Sequence, residues 1–166
     1  AFVSLAGSHI ASLNSRGAVG LIGSRGVRGE DIDKAIENAR TIAIPHNREV
    51  LHVIPRSYTL DGGDHVRSPI GMHGFRLEVE VHIITASTTS VANLEQAMQG
   101  AHVFPDRFIL NPLASGDLIL NPQEREMGCV VVDIGGGTTD LAIFIEGTVW
   151  HFSVFAVGAF IITNNN

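Results

Sequence analysis

CVVVDIGGGTTDLAIF, residues 129–144, is two apolar runs joined by a glycine-rich turn with a carboxylate, Asp133, at its mouth. A hairpin needs only two turn residues, and Asn-Gly or Asp-Gly would serve. Three successive glycines and two threonines therefore point to something that must come close to this backbone, and a phosphate is the first candidate. With no side chains in the way, the amides of Gly135, Gly136 and Gly137 can converge into an anion-binding nest, helped by glycine's access to positive φ. Asp133, at a strand end, is suited to hold Mg²⁺ directly or through water, because a hard cation wants carboxylate oxygen and keeps several waters. Thr138 and Thr139 add hydroxyls toward the phosphates. The bland alternative is a glycine-rich hairpin whose turn Asp133 caps. The pattern is neither a Walker loop, which needs GxxxxGK[ST], nor a dinucleotide fingerprint, which needs GxGxxG opening a helix. Here a strand follows the glycines.

The chain around this stretch has 166 residues, 45% of them hydrophobic, with a mean hydropathy of +0.22. That is enough apolar side chain for a buried core in one domain or two small ones. The net charge is −6, and the ten arginines and single lysine form no run, which argues against a nucleic-acid partner or a basic membrane stripe. One cysteine, Cys129, excludes an internal disulfide, fits a reducing compartment and reads as a core residue. No apolar run approaches the about 18 residues that span a bilayer, and the first residues lack the basic region of a signal peptide. The chain opens without methionine in a strand-like run, as a piece of a longer protein would.

Residues 2–6 and 17–22 read as short strands with turn chemistry at Gly7, Ser8, Asn14 and Ser15, together predicting a hairpin. From Asp31, the spacing of Ile32, Ala35, Ile36, Ala39, Ile42 and Ala43 predicts a helix, with Glu30 and Asp31 suiting its first turn and Pro45 ending it. Residues 49–60 read as a strand that Pro55 confines to a sheet edge or a bulge. The strict alternation of Leu77, Val79, Val81 and Ile83 makes 75–85 the clearest strand in the chain. Beyond Ser87 helices and strands alternate: Val91, Leu94 and Met98 mark a helix, 107–110 a strand, 113–120 a short helix, and strands follow at 130–134, 141–145 and 148–155. The fold class is α+β passing into α/β with a partly parallel sheet.

Other constellations read as structural. His65, His73 and His82 lie near Glu78 and Glu80, but no HxxxH or HExxH spacing occurs, and Glu78, Glu80 and His82 alternate on the solvated or partner-facing side of a strand. Ser8, His9 and Asp31 make no triad without a GxSxG elbow. The loop 66–74 is long for a strand connection, and Arg67, Met72 and His73 are its candidates for protein contact.

The loop DIGGGTTD resembles the second phosphate-binding loop of the superfamily of actin, sugar kinases and chaperone ATPases. In order, SLAGSHI, VLHVIPRSYTLDG, SPIGMHGFRLEVEVHIITAS, NLEQAM, ILNPLASG and EREMGCVVVDIGGGTTDLAIF resemble the bacterial FtsA family over nearly the whole chain. The resemblance implies a strand-helix-strand-strand insertion subdomain over 1–86, elements returning to the first actin-like (ribonuclease H-like) subdomain over 87–125, and the opening strands of the second over 126–166. It implies ATP and Mg²⁺ binding by the full-length protein, with Asp133 on the metal side and Gly135, Gly136, Gly137, Thr138 and Thr139 in the phosphate loop. It further implies tethering of the ring protein FtsZ, contacts with other division proteins, self-association, and a cytoplasmic location at the septal membrane through a C-terminal helix.

The same resemblance puts the first phosphate loop before residue 1, and the adenine-binding elements, the main FtsZ-tail site and the membrane helix after residue 166. The chain is then one wall of a nucleotide cleft and is non-catalytic by itself. One departure stands out: the family usually reads GG and then an Ile/Val-Thr-x-Asp run, whereas here Ala159 follows Gly158 and Asn165 stands where aspartate is common, so close backbone approach at Ala159 is in question. DIGGGTTD alone also permits a kinase-like ATPase or a pilus or microcompartment scaffold of the same superfamily.

Overall fold

The computed structural model describes residues 1–22, 25–41 and 44–163. Its strands are β1 (Phe2–Leu5), β2 (Ile10–Gly20), β3 (Arg48–Leu60), β4 (His65–Val66), β5 (Arg76–Ser87), β6 (Arg107–Leu110), β7 (Cys129–Ile134), β8 (Thr139–Ile145) and β9 (Thr148–Phe155). Its helices are α1 (Gly29–Arg40), α2 (Thr88–Gly100), α3 (Asn111–Ile119), α4 (Pro122–Met127) and α5 (Ala159–Thr163). Contacts divide the chain into two compact units, one of residues 13–44 and 52–83, the other of residues 1–12, 45–51 and 84–166.

The first of these units is a sheet under one helix. Strands run in the order β2-β5-β3-β4. Leu77, Val79, Val81 and Ile83 of β5 are buried, as their alternation requires, and so are Ala35 and Ala39 of α1. The predicted hairpin of 2–6 with 17–22 does not form. β1 instead pairs in parallel with β6, and β2 is a single strand continuing through Asn14 and Ser15. Those two residues carry turn chemistry, but each finds a partner that lets the strand run on. The Ser15 hydroxyl donates to the Ala39 carbonyl at 2.7 Å, and Asn14 Oδ1 lies 2.7 Å from His82 Nδ1. His82 is accordingly buried at 1% exposure rather than solvated.

Helix α1 is positioned by its acidic first turn and by a missing side chain. Asp31 accepts from the Arg28 amide at 3.0 Å and from both guanidinium nitrogens of Arg25 at 3.1 Å, and the Arg28 amide bond first, with Arg25 beside it, holds its carboxyl below the ordinary range. Gly17 lets the helix backbone rest on β2, since a Cβ there would collide with the Ala35 carbonyl and the Ala39 amide. The helix ends at Arg40, and Ile42 and Ala43 of the predicted helix lie outside the described residues. Pro55 sits where an edge residue can: β4 pairs with β3 only at Tyr58 and Thr59. The loop 66–74 is tied to the chain before α1, with Gly71 N–H donating to the Val27 carbonyl and Val27 N–H to that of Met72, both at 2.9 Å.

The other unit holds the parallel pair β1-β6, the helices α2 to α5 and an antiparallel sheet in the order β7-β8-β9. Val131, Ala142, Phe144, Val149 and Phe152 are buried on the sheet's inner face. Gly116 of α3 packs against the Phe144 ring, and Arg125 of α4 donates to the Gly116 carbonyl and to Asp117, both at 2.9 Å, with its guanidinium 5.8 Å from the same ring. Helix α4 was not foreseen, although Asn121 and Glu124 form a reciprocal capping box at 2.9 Å in each direction. Arg48 makes a further half-buried junction, donating to the Thr85 hydroxyl at 2.8 Å, the Thr85 carbonyl at 2.9 Å and the His9 carbonyl at 3.0 Å. Cys129 is half-buried rather than fully in the core.

The contact at Gly17 makes a stability test. Gly17→Ala forces α1 off β2, and we expect a loss of about 2–3 kcal/mol, read as a lower urea midpoint.

Candidate functional site

The strands β7 and β8 form a regular antiparallel ladder on either side of the glycine loop: Val132 faces Leu141, Asp133 faces Asp140 and Ile134 faces Thr139. The loop between them closes on itself, with Gly135 N–H donating to the Thr138 carbonyl at 2.8 Å. Its next anchor is α5. The carbonyls of Gly135 and Gly136 accept from the amides of Ala159 at 2.9 Å and Phe160 at 3.0 Å. The glycine that permits this is Gly158, where a Cβ would collide with the Gly136 carbonyl and stand 2.6 Å from that of Gly135. The close backbone approach questioned at Ala159 is therefore made one residue earlier, while Ala159 contributes its amide. Asn165 lies outside the described residues.

The loop's donors are left in a definite arrangement. Among the described residues, the amides of Gly136, Gly137 and Thr138 have no acceptor, and the first two are exposed. Gly135, Gly136 and Gly137 do not lie in the left-handed region, so the loop does not use positive φ. Open space, rather than special dihedrals, is what absent side chains supply at Gly136 and Gly137, where an added Cβ would meet nothing within 4 Å. Both threonine hydroxyl protons are engaged: Thr139 donates to the Val157 carbonyl at 2.7 Å, and Thr138 to Asp140 Oδ2 at 3.4 Å. Either hydroxyl would have to leave that acceptor to donate to a phosphate.

Two carboxylates flank the loop mouth. Asp133 is half-buried and makes no hydrogen bond to another described residue. Asp140 is 2% exposed, and its Oδ1 is buried without a partner among the described residues. Burial pushes the Asp140 carboxyl above the ordinary range; the Thr138 hydroxyl, the Gly7 amide and the charge of His9 pull it down, and Asp133 pushes it further up. Sequence reading passed over Asp140, leaving it in the loop before a strand at 141–145, whereas β8 begins at Thr139; extending the period-2 pattern of that strand back to Asp140, which turns it to the inner face, was the available signal. The donor set fits a nucleotide phosphate with its cation: unengaged amides on one side and facing carboxylates on the other.

The remaining sequence candidates are not drawn into this site. Asp31 is taken up by Arg25 and Arg28 in the other unit. Glu78 pairs with Arg76 at 2.8 Å and Glu80 with Arg16 at 3.4 Å. Among the described residues no group of three His, Cys, Asp or Glu side chains is placed to hold a metal ion. In the 66–74 loop Met72 is exposed, as are Ile70 and the adjoining Phe75.

Comparison with known proteins gives a consistent picture. A family model described as the SHS2 domain inserted in FtsA matches residues 7–85. The cell division protein FtsA of Neisseria meningitidis is 42% identical over 161 residues, 97% of this chain. That of Pseudomonas aeruginosa is also 42% identical, over 99% of the chain, and that of Escherichia coli K12 is 33% identical over 99%. The chain spans 39% of the length of each of these relatives. Among solved structures, a chain of the PilM-PilN type IV pilus biogenesis complex superposes with a TM-score of 0.66 at 17% identity, covering 98% of this chain and 44% of that one. The fold is that of an actin-like ATPase fragment.

Two substitutions probe the loop. Gly158→Ala pushes on the Gly136 carbonyl, and we expect amide shifts at Gly135, Gly136 and Ala159 in NMR spectra with a loss of about 2 kcal/mol. Asp140 works in the opposite sense. A carboxyl whose folded pKa is raised adds stability below its unfolded pKa and loses it as pH rises through the folded value. Metal-free Asp140→Asn is therefore expected to be at least as stable as the parent at pH 7, with the advantage vanishing on acidification through the carboxylate range, as followed by thermal melts.

Proposed function

Since the chain belongs to the FtsA family of cell-division proteins, we propose that it is the SHS2-bearing part of a protein that links the FtsZ ring to the membrane and gathers other division proteins by protein–protein contact. The observation that carries this reading is that one alignment over 97–99% of the chain takes in both the SHS2 unit and the glycine loop. The whole protein works at the inner face of the cell membrane at the septum, through a membrane helix outside this stretch. Within the chain, the SHS2 unit over 1–86 is the contact module. The segments over 87–125 and 126–166 belong to two actin-like subdomains.

In this reading the loop holds the phosphates of ATP. The unengaged amides of Gly136, Gly137 and Thr138 support that role, and Asp133 takes the Mg²⁺ side. The bound nucleotide supplies the charge the loop is built to hold. Phosphoryl transfer needs two phosphate loops, a metal and a positioned water together. One loop supplies too few contacts, so the chain alone is non-catalytic and binds ATP weakly or not at all. A kinase-like, pilus or microcompartment role is the second reading; the SHS2 match favours the first.

Analytical ultracentrifugation of the chain, alone and with the tail peptide of FtsZ, tests the contact reading. Reversible self-association without tail binding is expected. Tail binding would move the FtsZ site into this stretch, and a strict monomer that ignores the peptide would overturn the assignment of the chain as a contact module. For the loop, isothermal titration with ATP is expected to give no binding tighter than millimolar; micromolar Mg²⁺-dependent binding would sink the one-wall description.

A further inference from the structure

We propose that the turn of residues 6–9 relays occupancy of the glycine loop to the start of β3 and the end of β5, with Arg48 as the receiving end. This rests on the phosphate-loop reading above and adds a conformational output to it. Every group involved belongs to the compact unit of residues 1–12, 45–51 and 84–166.

At the loop end, Asp140 is 2% exposed and one of its oxygens has no partner among the described residues. The other oxygen accepts from the Thr138 hydroxyl at 3.4 Å, and the Gly7 amide bears on the same carboxyl. A hydroxyl has a single proton, so when Thr138 turns to a phosphate it leaves Asp140. A buried acceptor that loses a donor is costly unless another donor closes on it. The Gly7 amide is the donor already in place, and the turn that carries it is drawn toward Asp140.

The turn is built to pass that pull on. Gly7 has a φ of +135°, and a Cβ there would stand 2.9 Å from the His9 ring, so only glycine lets the imidazole lie against the turn. The Gly7 carbonyl accepts from Ile10 N–H at 3.2 Å, which closes the turn before β2. Two donors converge on the His9 carbonyl: Ser87 N–H at 3.1 Å and the Arg48 guanidinium at 3.0 Å. The same guanidinium holds the Thr85 hydroxyl at 2.8 Å and the Thr85 carbonyl at 2.9 Å, and that hydroxyl donates to the Ala11 carbonyl at 3.3 Å. A planar fork serving three acceptors cannot follow the His9 carbonyl without moving against Thr85. Beside it the Asn47 carbonyl accepts from Thr88 N–H at 3.0 Å and from the Thr88 hydroxyl at 3.1 Å, so the start of β3 and the end of β5 move together. Contiguous hydrogen bonds of this kind are a physical route for coupling.

The test is an NMR titration of the 166-residue chain with inorganic pyrophosphate through the millimolar range, against sodium chloride of equal ionic strength. The amides of Gly136, Gly137 and Thr138 are expected to shift, and with them the amides of Gly7, His9 and Ser87 and the Arg48 side-chain Nε–H, which reports its bond to Thr85. Thr138→Val removes the hydroxyl that switches, so its Gly136 and Gly137 amides should still respond while Gly7 and Arg48 Nε–H no longer do. Arg48→Lys should keep the response at Gly7 and lose it at Ser87. The unsubstituted chain supplies the deciding signals even where a variant fails to fold. Shifts confined to the loop, or a Gly7 and Arg48 response that survives in Thr138→Val, would overturn the relay and leave the phosphate-loop reading standing. If pyrophosphate moves none of these signals, the loop reading falls and the relay falls with it.

Discussion

The arrangement at the glycine loop depends on one backbone-to-backbone contact. Because Gly158 has no side chain, the start of α5 comes against Gly135 and Gly136, and the loop's carbonyls accept from the amides of Ala159 and Phe160. With its carbonyls engaged there and Gly135 N–H closed onto Thr138, the loop is left with three amides that no described residue accepts from. Exposed at Gly136 and Gly137, those amides are open to solvent, and in an otherwise tied loop they are donors available to an incoming acceptor. The glycines of DIGGGTTD thus do two separate jobs: Gly135 and Gly136 give the loop its anchor to α5, and Gly136 and Gly137 keep the approach open.

The two carboxylates complete the electrostatics. Asp133 and Asp140 face each other across the ladder, and burial first, with the Asp133 charge a smaller contribution, pushes the Asp140 carboxyl above its ordinary range.

The SHS2 unit is stabilised on different terms. Its strand β5 contributes a continuous apolar face, its helix lies on β2 at Gly17, and its buried polar residues Ser15 and His82 bond to the Ala39 carbonyl and to the exposed Asn14. Among the described residues of that unit no carboxylate oxygen is buried without a partner. Of its exposed apolar side chains, Ile70, Met72 and Phe75 lie on the loop 66–74 and its neighbour, and Ile22 lies outside it.

By itself the sequence determined the elements whose signal is local. The alternation of 75–85 defined β5, the spacing of Ala35 and Ala39 defined α1, and the run of apolar residues broken by GGG defined β7, the loop and β8. It also picked out Asp133 and the glycines, because absent side chains beside a carboxylate are a chemical pattern that needs no neighbours to be read. Tertiary structure decided the rest. Whether Asn14 and Ser15 turn the chain or extend it depended on Ala39 and His82, far along the chain, and the parallel partner of β1 lay over a hundred residues away. The placement of Asp140 was of the same kind. Its type and position were visible, but that burial strands one of its oxygens opposite Asp133 is a property of packing, since desolvation and pairing arise only when distant segments close around a group.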